Sequence, residues 1–156
     1  MIKINFKIIL VQFIGCIFLI QGIQNLYFAT QTEKYNCYIE YLKNPKCECF
    51  QKLRLNGFGG EFMSDVYLWF FYGFVIGIFI TSIINWKKNR HPLNSVLLIV
   101  LLFILFPIHF FRNEYVSLIF RQFGEIITQD FGVQNIIKGI TYTIIGSLIL
   151  WKSYRI

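Results

Sequence analysis

Three cysteines, Cys37, Cys47 and Cys49, share the segment NCYIEYLKNPKCECF of an otherwise apolar chain. Thiols at this spacing could form a structural disulfide, bind zinc, or exchange disulfides with another protein. A disulfide from Cys37 to Cys47 or Cys49 would close a loop of about ten residues and stabilise the fold by a few kcal/mol. It would leave one unpaired thiol, which is unusual in an exported segment.

A zinc site would need a fourth ligand besides the three cysteines. His109 is the only histidine expected on their side of a membrane, because His91 falls on the opposite side. The Cys-x-Cys spacing is also tighter than the Cys-x-x-Cys hairpin that usually holds zinc. We therefore predict no metal and no cofactor. The only possible ligand set would be Cys37, Cys47, Cys49 and His109.

Disulfide exchange is the third possibility for the same residues. Cysteines one residue apart, such as Cys47 and Cys49, can form a strained disulfide, and strain makes a disulfide easier to exchange. Cys37 would then act as a resolving thiol that relays the disulfide to a partner protein. The odd number of cysteines favours exchange over a simple clip. All three are candidate catalytic residues, although the sequence does not decide whether the chain is an enzyme.

The elements that must position these cysteines are membrane helices. The chain of 156 residues is 56% hydrophobic and only 15% charged, whereas about a quarter of a soluble domain is charged. Four apolar runs, at about 8–28, 66–86, 95–111 and 133–151, approach the roughly 20 residues that a helix needs to cross a bilayer. The third run is short and contains Pro107. We predict one all-α domain, residues 1–156, with four transmembrane helices.

Charged residues predict how these helices are oriented. Three short flanks carry basic residues and no acidic one: Lys3, Lys7, Lys87, Lys88, Arg90, Lys152 and Arg155. All eight acidic residues fall on the other side. The positive-inside rule therefore places both termini in the cytoplasm and the cysteine loop, 29–65, outside. We expect the membrane to be a bacterial inner membrane, whose outer side is oxidising. Basic residues scattered over three flanks do not form a nucleic-acid-binding surface.

Small residues recur at four-residue steps in two of the predicted spans. Such ridges let helices approach closely in a bilayer. The ridges consist of Gly73, Gly77 and Thr81 in the second span and Gly139, Thr143 and Ser147 in the fourth. Packing within the chain is the favoured interpretation, and docking on another membrane or periplasmic protein is the alternative.

Polar residues inside a membrane span often have a function. Gln12 lies near the inner end of the first span, whereas Gln21 and Gln24 lie near its outer end. Lys138 lies about one turn inside the last span, from which its side chain could extend to the interface. No Asp or Glu falls within any span, which argues against an ion-coupled transporter. The fourth cysteine, Cys16, is expected to be a small buried residue.

The second outer segment, EYVSLIFRQFGEIITQ at 114–129, has its apolar residues on one helical face. This pattern predicts an amphipathic helix lying in the outer interface or over the bundle. Its polar face is not basic, so attraction to anionic lipids does not explain it.

The segment CECFQKLRLNGFGGEFMSDVYLWFF resembles the Cys-x-Cys-Phe segment of the MauE/DoxX-like redox-associated membrane proteins. Cys47, Cys49 and Phe50 match that motif, Phe62 lies where an aromatic residue is expected, and an apolar span follows. The resemblance implies a four-helix membrane protein linked to thiol–disulfide exchange. It also implies that Cys47 and Cys49 are the exchanging pair, acting with a periplasmic thioredoxin-like protein or a dehydrogenase.

This chain departs from the family pattern at several positions. Glu48 and Gln51 replace two glycines, Cys37 is additional, and the cysteines follow the first helix rather than the third. The predicted function is redox or disulfide handling by an accessory membrane protein. The main alternative is a non-catalytic subunit or assembly factor of a larger membrane complex, with the cysteines forming only a clip. A toxin-immunity or sensor protein is a third possibility.

Overall fold

A computed structural model describes residues 4–53, 58–111 and 126–156 of the chain, and all regular secondary structure within these ranges is helical. The helices are α1 Phe6–Thr30, α2 Thr32–Lys43, α3 Cys49–Lys52, α4 Phe58–Lys87, α5 Leu93–Phe111 and α6 Phe131–Arg155.

Three helices are long and apolar enough to cross a membrane: α1, the Tyr67–Lys87 part of α4, and α6. They coincide with the predicted spans 8–28, 66–86 and 133–151, which confirms a helical chain of the membrane-protein type. The predicted span 95–111 lies within α5, whose stretch Leu93–Ile104 is a shorter apolar helix.

Helix α1 lies at the centre of the bundle and packs most extensively against the antiparallel helix α6. Glycines make this close contact possible. A Cβ atom on Gly146 would lie 2.7 Å from the backbone nitrogen of Leu19, and one on Gly139 would lie 2.9 Å from that of Leu26. Larger side chains would separate the two backbones, so small residues determine the packing, as is common in membrane helices.

Helix α4 packs against another face of α1 through the first predicted ridge. A Cβ atom on Gly73 would lie 3.0 Å from the Cα of Ile20, and one on Gly77 would lie 3.2 Å from Cys16 Sγ. Thr81 is also buried, and its hydroxyl donates to the Gly77 carbonyl oxygen at 2.9 Å. This ridge therefore packs inside the chain.

The second ridge is only partly buried. Gly139 packs on α1 as described, and the backbone and side chain of Thr143 lie against the position of Gly22. Ser147 is exposed, and Gly146 takes the next place in the contact. Lys138, expected to extend to the surface, is instead 7% exposed and lies inside the bundle.

One end of the bundle, here called the basic end, contains the connection from α4 to α5 and the end of α6. Helix α4 ends there in a Schellman motif, in which the backbone N–H of Asn89 donates to the Trp86 carbonyl and that of Arg90 to the Asn85 carbonyl, both at 3.0 Å. Asn89 has a φ of 49°, a left-handed conformation that asparagine tolerates better than most residues. The motif turns Arg90 back toward the bundle.

A network of buried polar groups links the helices at the basic end. Gln12 Nε2 donates to Asn85 Oδ1 at 2.9 Å, and Asn85 Nδ2 donates to Gln12 Oε1 at 3.2 Å. Asn85 Nδ2 also donates to Ser95 Oγ at 2.9 Å. Arg90 donates to Asn85 Oδ1 at 3.2 Å and to the Ser153 carbonyl at 2.6 Å. Partial burial lowers the pKa of Arg90 from its usual value. Because buried polar groups need partners, this network favours one arrangement of the helices.

The opposite end, here called the cysteine end, contains the predicted outer loop 29–65. This segment between the first two spans includes α2, α3 and the first turns of α4. Residues 114–125 of the predicted helix 114–129 lie outside the described residues. Residues 126–129 form a turn rather than a helix, and Asp130 caps α6 by accepting from the Val133 N–H at 2.8 Å.

Candidate thiol–disulfide site

Helix α2 is held against the ends of α1 and α6 by aromatic side chains. The ring centroid of Tyr35 lies 4.9 Å from that of Phe28 on α1 and 5.6 Å from that of Phe131 on α6. Tyr35 and Tyr38 are each 2% exposed. Buried aromatic side chains contribute large apolar area and specific ring contacts. Helix α2 is therefore a fixed platform, and Cys37 lies on it with 4% exposure.

A tight turn brings the other two cysteines back to this platform. Helix α2 ends at Lys43, and the backbone N–H of Cys47 donates to the Asn44 carbonyl at 3.0 Å. The side-chain oxygen of Asn44 accepts from the Lys46 N–H at 3.2 Å. Asn and Pro are favoured at the first two positions of such a turn, and Pro45 also prevents α2 from continuing.

The turn brings all three sulfur atoms together. Cys37 and Cys49 form a disulfide with their Cα atoms 5.7 Å apart. Cys47 is a free thiol, and its Sγ lies 3.0 Å from Cys49 Sγ, within about 1 Å of the length of a disulfide bond. Of the two predicted disulfides, the structure therefore contains the one that joins Cys37 to Cys49. Cys47 is the remaining free thiol, and its sulfur atom contacts that disulfide.

Exposure differs among the three residues. Cys37 is buried on α2, whereas Cys47 and Cys49 are both partly exposed. A partner from solution would therefore reach Cys47 or Cys49 before it reached Cys37. A cleft of about 380 Å³ is lined by residues 30–34 at the junction of α1 and α2 and by Leu53 after α3, and none of the three cysteines lines it.

This arrangement is suited to exchange within the chain. A Cys47 thiolate attacking Cys49 Sγ would form a Cys47–Cys49 bond, break the Cys37–Cys49 bond and release Cys37 as a thiolate. Two pairings of the same three sulfur atoms would thus interconvert without an outside oxidant or reductant.

The zinc alternative receives no support from the described residues. Among them, no group of three or more His, Cys, Asp or Glu side chains could hold a metal ion. Two of the three candidate sulfur ligands are joined to each other, and the side chain of His109 lies outside the described part. Cys16 lies in the apolar core beside Gly77 and is not part of the cysteine cluster.

Sequence reasoning missed two features that build this site. Asn44 and Pro45 form the turn, and the Asn-Pro dipeptide is a turn signal that could have revealed it. Tyr35 and Phe131 fix the platform, but their contact joins residues distant in sequence and has no local signal.

Comparisons with protein-family models, curated proteins and solved structures find no match to this chain. The MauE/DoxX-like resemblance is carried only by the matching residues of the Cys47 to Phe71 segment.

Proposed function

We propose that this chain is a four-helix membrane protein that passes a disulfide to a thiol protein on the outer face of the membrane. The observation that carries the proposal is the Cys47 thiol, which lies 3.0 Å from Cys49 Sγ beside the Cys37–Cys49 disulfide. The MauE/DoxX-like resemblance supports the same function, since it implies exchange at Cys47 and Cys49.

Four membrane crossings, with α5 as the fourth, would place all the basic flanks on one side of the membrane. Helix α5 has 19 residues, which span about 28 Å at 1.5 Å per residue, close to the roughly 30 Å of a hydrocarbon core. With α5 as a fourth crossing, both termini and all three basic flanks share one side, which the positive-inside rule makes cytoplasmic. The cysteines then face the opposite side, which is oxidising if the membrane is a bacterial inner membrane.

The proposed cycle begins with the internal exchange. The Cys47 thiolate attacks Cys49 Sγ, and Cys37 leaves as a thiolate that takes up a proton. A thiolate of the reduced partner then attacks Cys47 of the Cys47–Cys49 bond, which gives a mixed disulfide and releases Cys49. The second thiol of the partner attacks the partner's own sulfur in the mixed disulfide, and Cys47 leaves as a thiolate that takes up a proton. The partner leaves oxidised, and Cys37, Cys47 and Cys49 are all thiols once this chain has received two electrons.

A second disulfide-bearing protein regenerates the starting state by the reverse series of exchanges. Burial of Cys37 suits it to the resolving role, because a thiol that solution partners cannot reach does not form mixed disulfides of its own. The platform on α2 keeps Cys37 within reach of Cys49 throughout the cycle.

A structural clip in a non-catalytic subunit is the second candidate. The observation that favours it is the disulfide itself, which joins α2 to α3 across a separation of 12 residues. Chain entropy alone makes such a bond worth about 3 kcal/mol. In this alternative Cys47 has no chemical role, and the apolar outer surfaces of the helices contact other subunits.

Disulfide mapping of single variants in native membranes separates the two candidates. Acid quenching followed by alkylation under denaturing conditions identifies each free thiol. We expect Cys37→Ser to contain a Cys47–Cys49 disulfide, and Cys47→Ser to retain Cys37–Cys49. Cys16→Ser is the matched control and should show the wild-type pairing. Free thiols at both Cys47 and Cys49 in the Cys37→Ser variant, besides the Cys16 thiol that every chain but the control carries, would rule out the exchange mechanism under conditions that oxidise the wild type.

A further inference from the structure

A groove between α4 and α6 at the basic end has no role in the proposed disulfide chemistry. Its volume is about 430 Å³. Apolar and aromatic side chains make up most of its lining: Leu19, Ile80, Ile84, Leu150, Trp151 and Tyr154. Lys87 also lines the groove.

The groove exists because α4 and α6 both pack on α1 and make few contacts with each other. Leu19 of α1 forms its floor. From Ser147 to Tyr154 it extends along two turns of α6, about 10 Å at 1.5 Å per residue. An acyl chain of the bilayer could enter between the two helices. Lipid tails are as apolar as these side chains, so the lining alone would not select one lipid.

Cations that line the groove or contact its aromatic side chains provide that selection. Lys88 Nζ lies 4.6 Å from the ring centroid of Tyr154, and Arg155 Cζ lies 5.7 Å from that of Trp151. Both distances are within the range of cation–π contacts. Two aromatic side chains of the lining therefore each contact a cation, and Lys87 adds a third cation to the lining itself.

No acidic residue in the adjoining sequence offsets these charges. Residues 86–92, after α4, and residues 151–156, at the end of α6, contain no Asp or Glu. Basic pockets between membrane helices are suited to phosphate head groups of anionic lipids. A zwitterionic head group would bring its own cation close to the same three positive charges.

We propose that this groove binds one anionic glycerophospholipid, with an acyl chain between α4 and α6 and the phosphate among Lys87, Lys88 and Arg155. The site depends on membrane insertion but not on the cysteine chemistry or on which side of the membrane the basic end faces.

Tryptophan quenching in lipid nanodiscs tests this site, because Trp151 lines the groove. With Trp69 and Trp86 changed to Phe, Trp151 is the only tryptophan. Brominated phosphatidylglycerol should quench it several-fold more effectively than brominated phosphatidylcholine at equal mole fraction. Lys88→Gln should reduce the relative binding constant by up to about fivefold, the effect of roughly one cation near a lipid surface.

Two controls distinguish a site from general lipid contact. Lys7→Gln removes another exposed cation, at the start of α1 and outside the groove, and should leave the preference unchanged. A chain that retains only Trp69 should show no preference. Equal quenching of Trp151 by both lipids, or an equal effect of Lys7→Gln and Lys88→Gln, would overturn the proposal. Displacement by soluble glycerol phosphate would do so as well, since it would identify a phosphate site that needs no acyl chain.

Discussion

Replacing Gln12 by Met and Asn85 by Leu, singly and together, measures how strongly the buried amide pair joins α1 to α4. Both substitutions keep nearly the same side-chain volume and remove only the polar groups. Gln12 loses two hydrogen bonds, whereas Asn85 also loses those with Ser95 and Arg90. Hydrogen bonds between membrane helices contribute about 0.6 kcal/mol each on average.

These values predict the outcome of a double-mutant cycle. The free energy of unfolding should fall by about 1.2 kcal/mol for Gln12→Met and about 2.4 kcal/mol for Asn85→Leu. Once Asn85 is replaced, the Gln12 bonds are already absent, so the double variant should lose no more than Asn85→Leu alone. The coupling energy is therefore about 1.2 kcal/mol.

Reversible unfolding in mixed micelles of increasing SDS content gives the three free energies. Gln12→Met combined with Ser147→Ala is the matched control, because Ser147 is exposed on α6 and should add independently. A coupling energy below about 0.3 kcal/mol, the usual scatter of additive pairs, would refute the contribution assigned to the amide pair.

Three further predictions concern packing, the disulfide and orientation. Gly146→Val should destabilise the bundle by about 1–3 kcal/mol, because its side chain would meet the backbone of Leu19, whereas Ser147→Val should change the same unfolding midpoint little. Cys49→Ser should lower the free energy of unfolding by about 3 kcal/mol through loss of the disulfide, and Cys47→Ser should not; equal losses would contradict the assigned pairing. A reporter that is active only outside the cytoplasm should be active when fused within α2 and silent when fused between α4 and α5, and the reverse pattern would overturn the proposed orientation.

Local composition was enough to predict the long helices. A continuous apolar run has few alternatives to a membrane helix, and Phe6–Thr30, Tyr67–Lys87 and Phe131–Arg155 lie where such runs were expected. The four-residue spacing of small residues also predicted that one ridge of α4 packs within the chain. The residues of that ridge, Gly73, Gly77 and Thr81, are buried.

Contacts between distant residues could not be predicted in the same way. The second ridge was extended by four-residue steps to Ser147, but successive steps of four drift around a helix of 3.6 residues per turn. Gly146 therefore takes the contact with α1 and Ser147 faces outward. Lys138 likewise is buried because α6 packs closely on α1, a contact that hydropathy alone does not reveal.

The cysteine site was predicted in its residues but not in its pairing. Spacing alone allowed Cys37 to join either Cys47 or Cys49. The pairing depends on two elements. Helix α2 positions Cys37, and the Asn44–Pro45 turn reverses the chain so that Cys49 lies next to Cys37. The prediction of an outer loop at 29–65 did not specify helix α2 within it, so it gave no such register.

Transfer of a disulfide to a reduced dithiol protein tests the central proposal most directly. Oxidised wild-type chain in nanodiscs is mixed with a reduced thioredoxin-fold protein, and oxidation of that protein is followed over time. We expect Cys47→Ser, which retains the Cys37–Cys49 disulfide, to slow the transfer at least tenfold, and Cys16→Ser to leave it unchanged. A Cys47→Ser chain that transfers its disulfide as fast as the wild type would contradict the exchange mechanism.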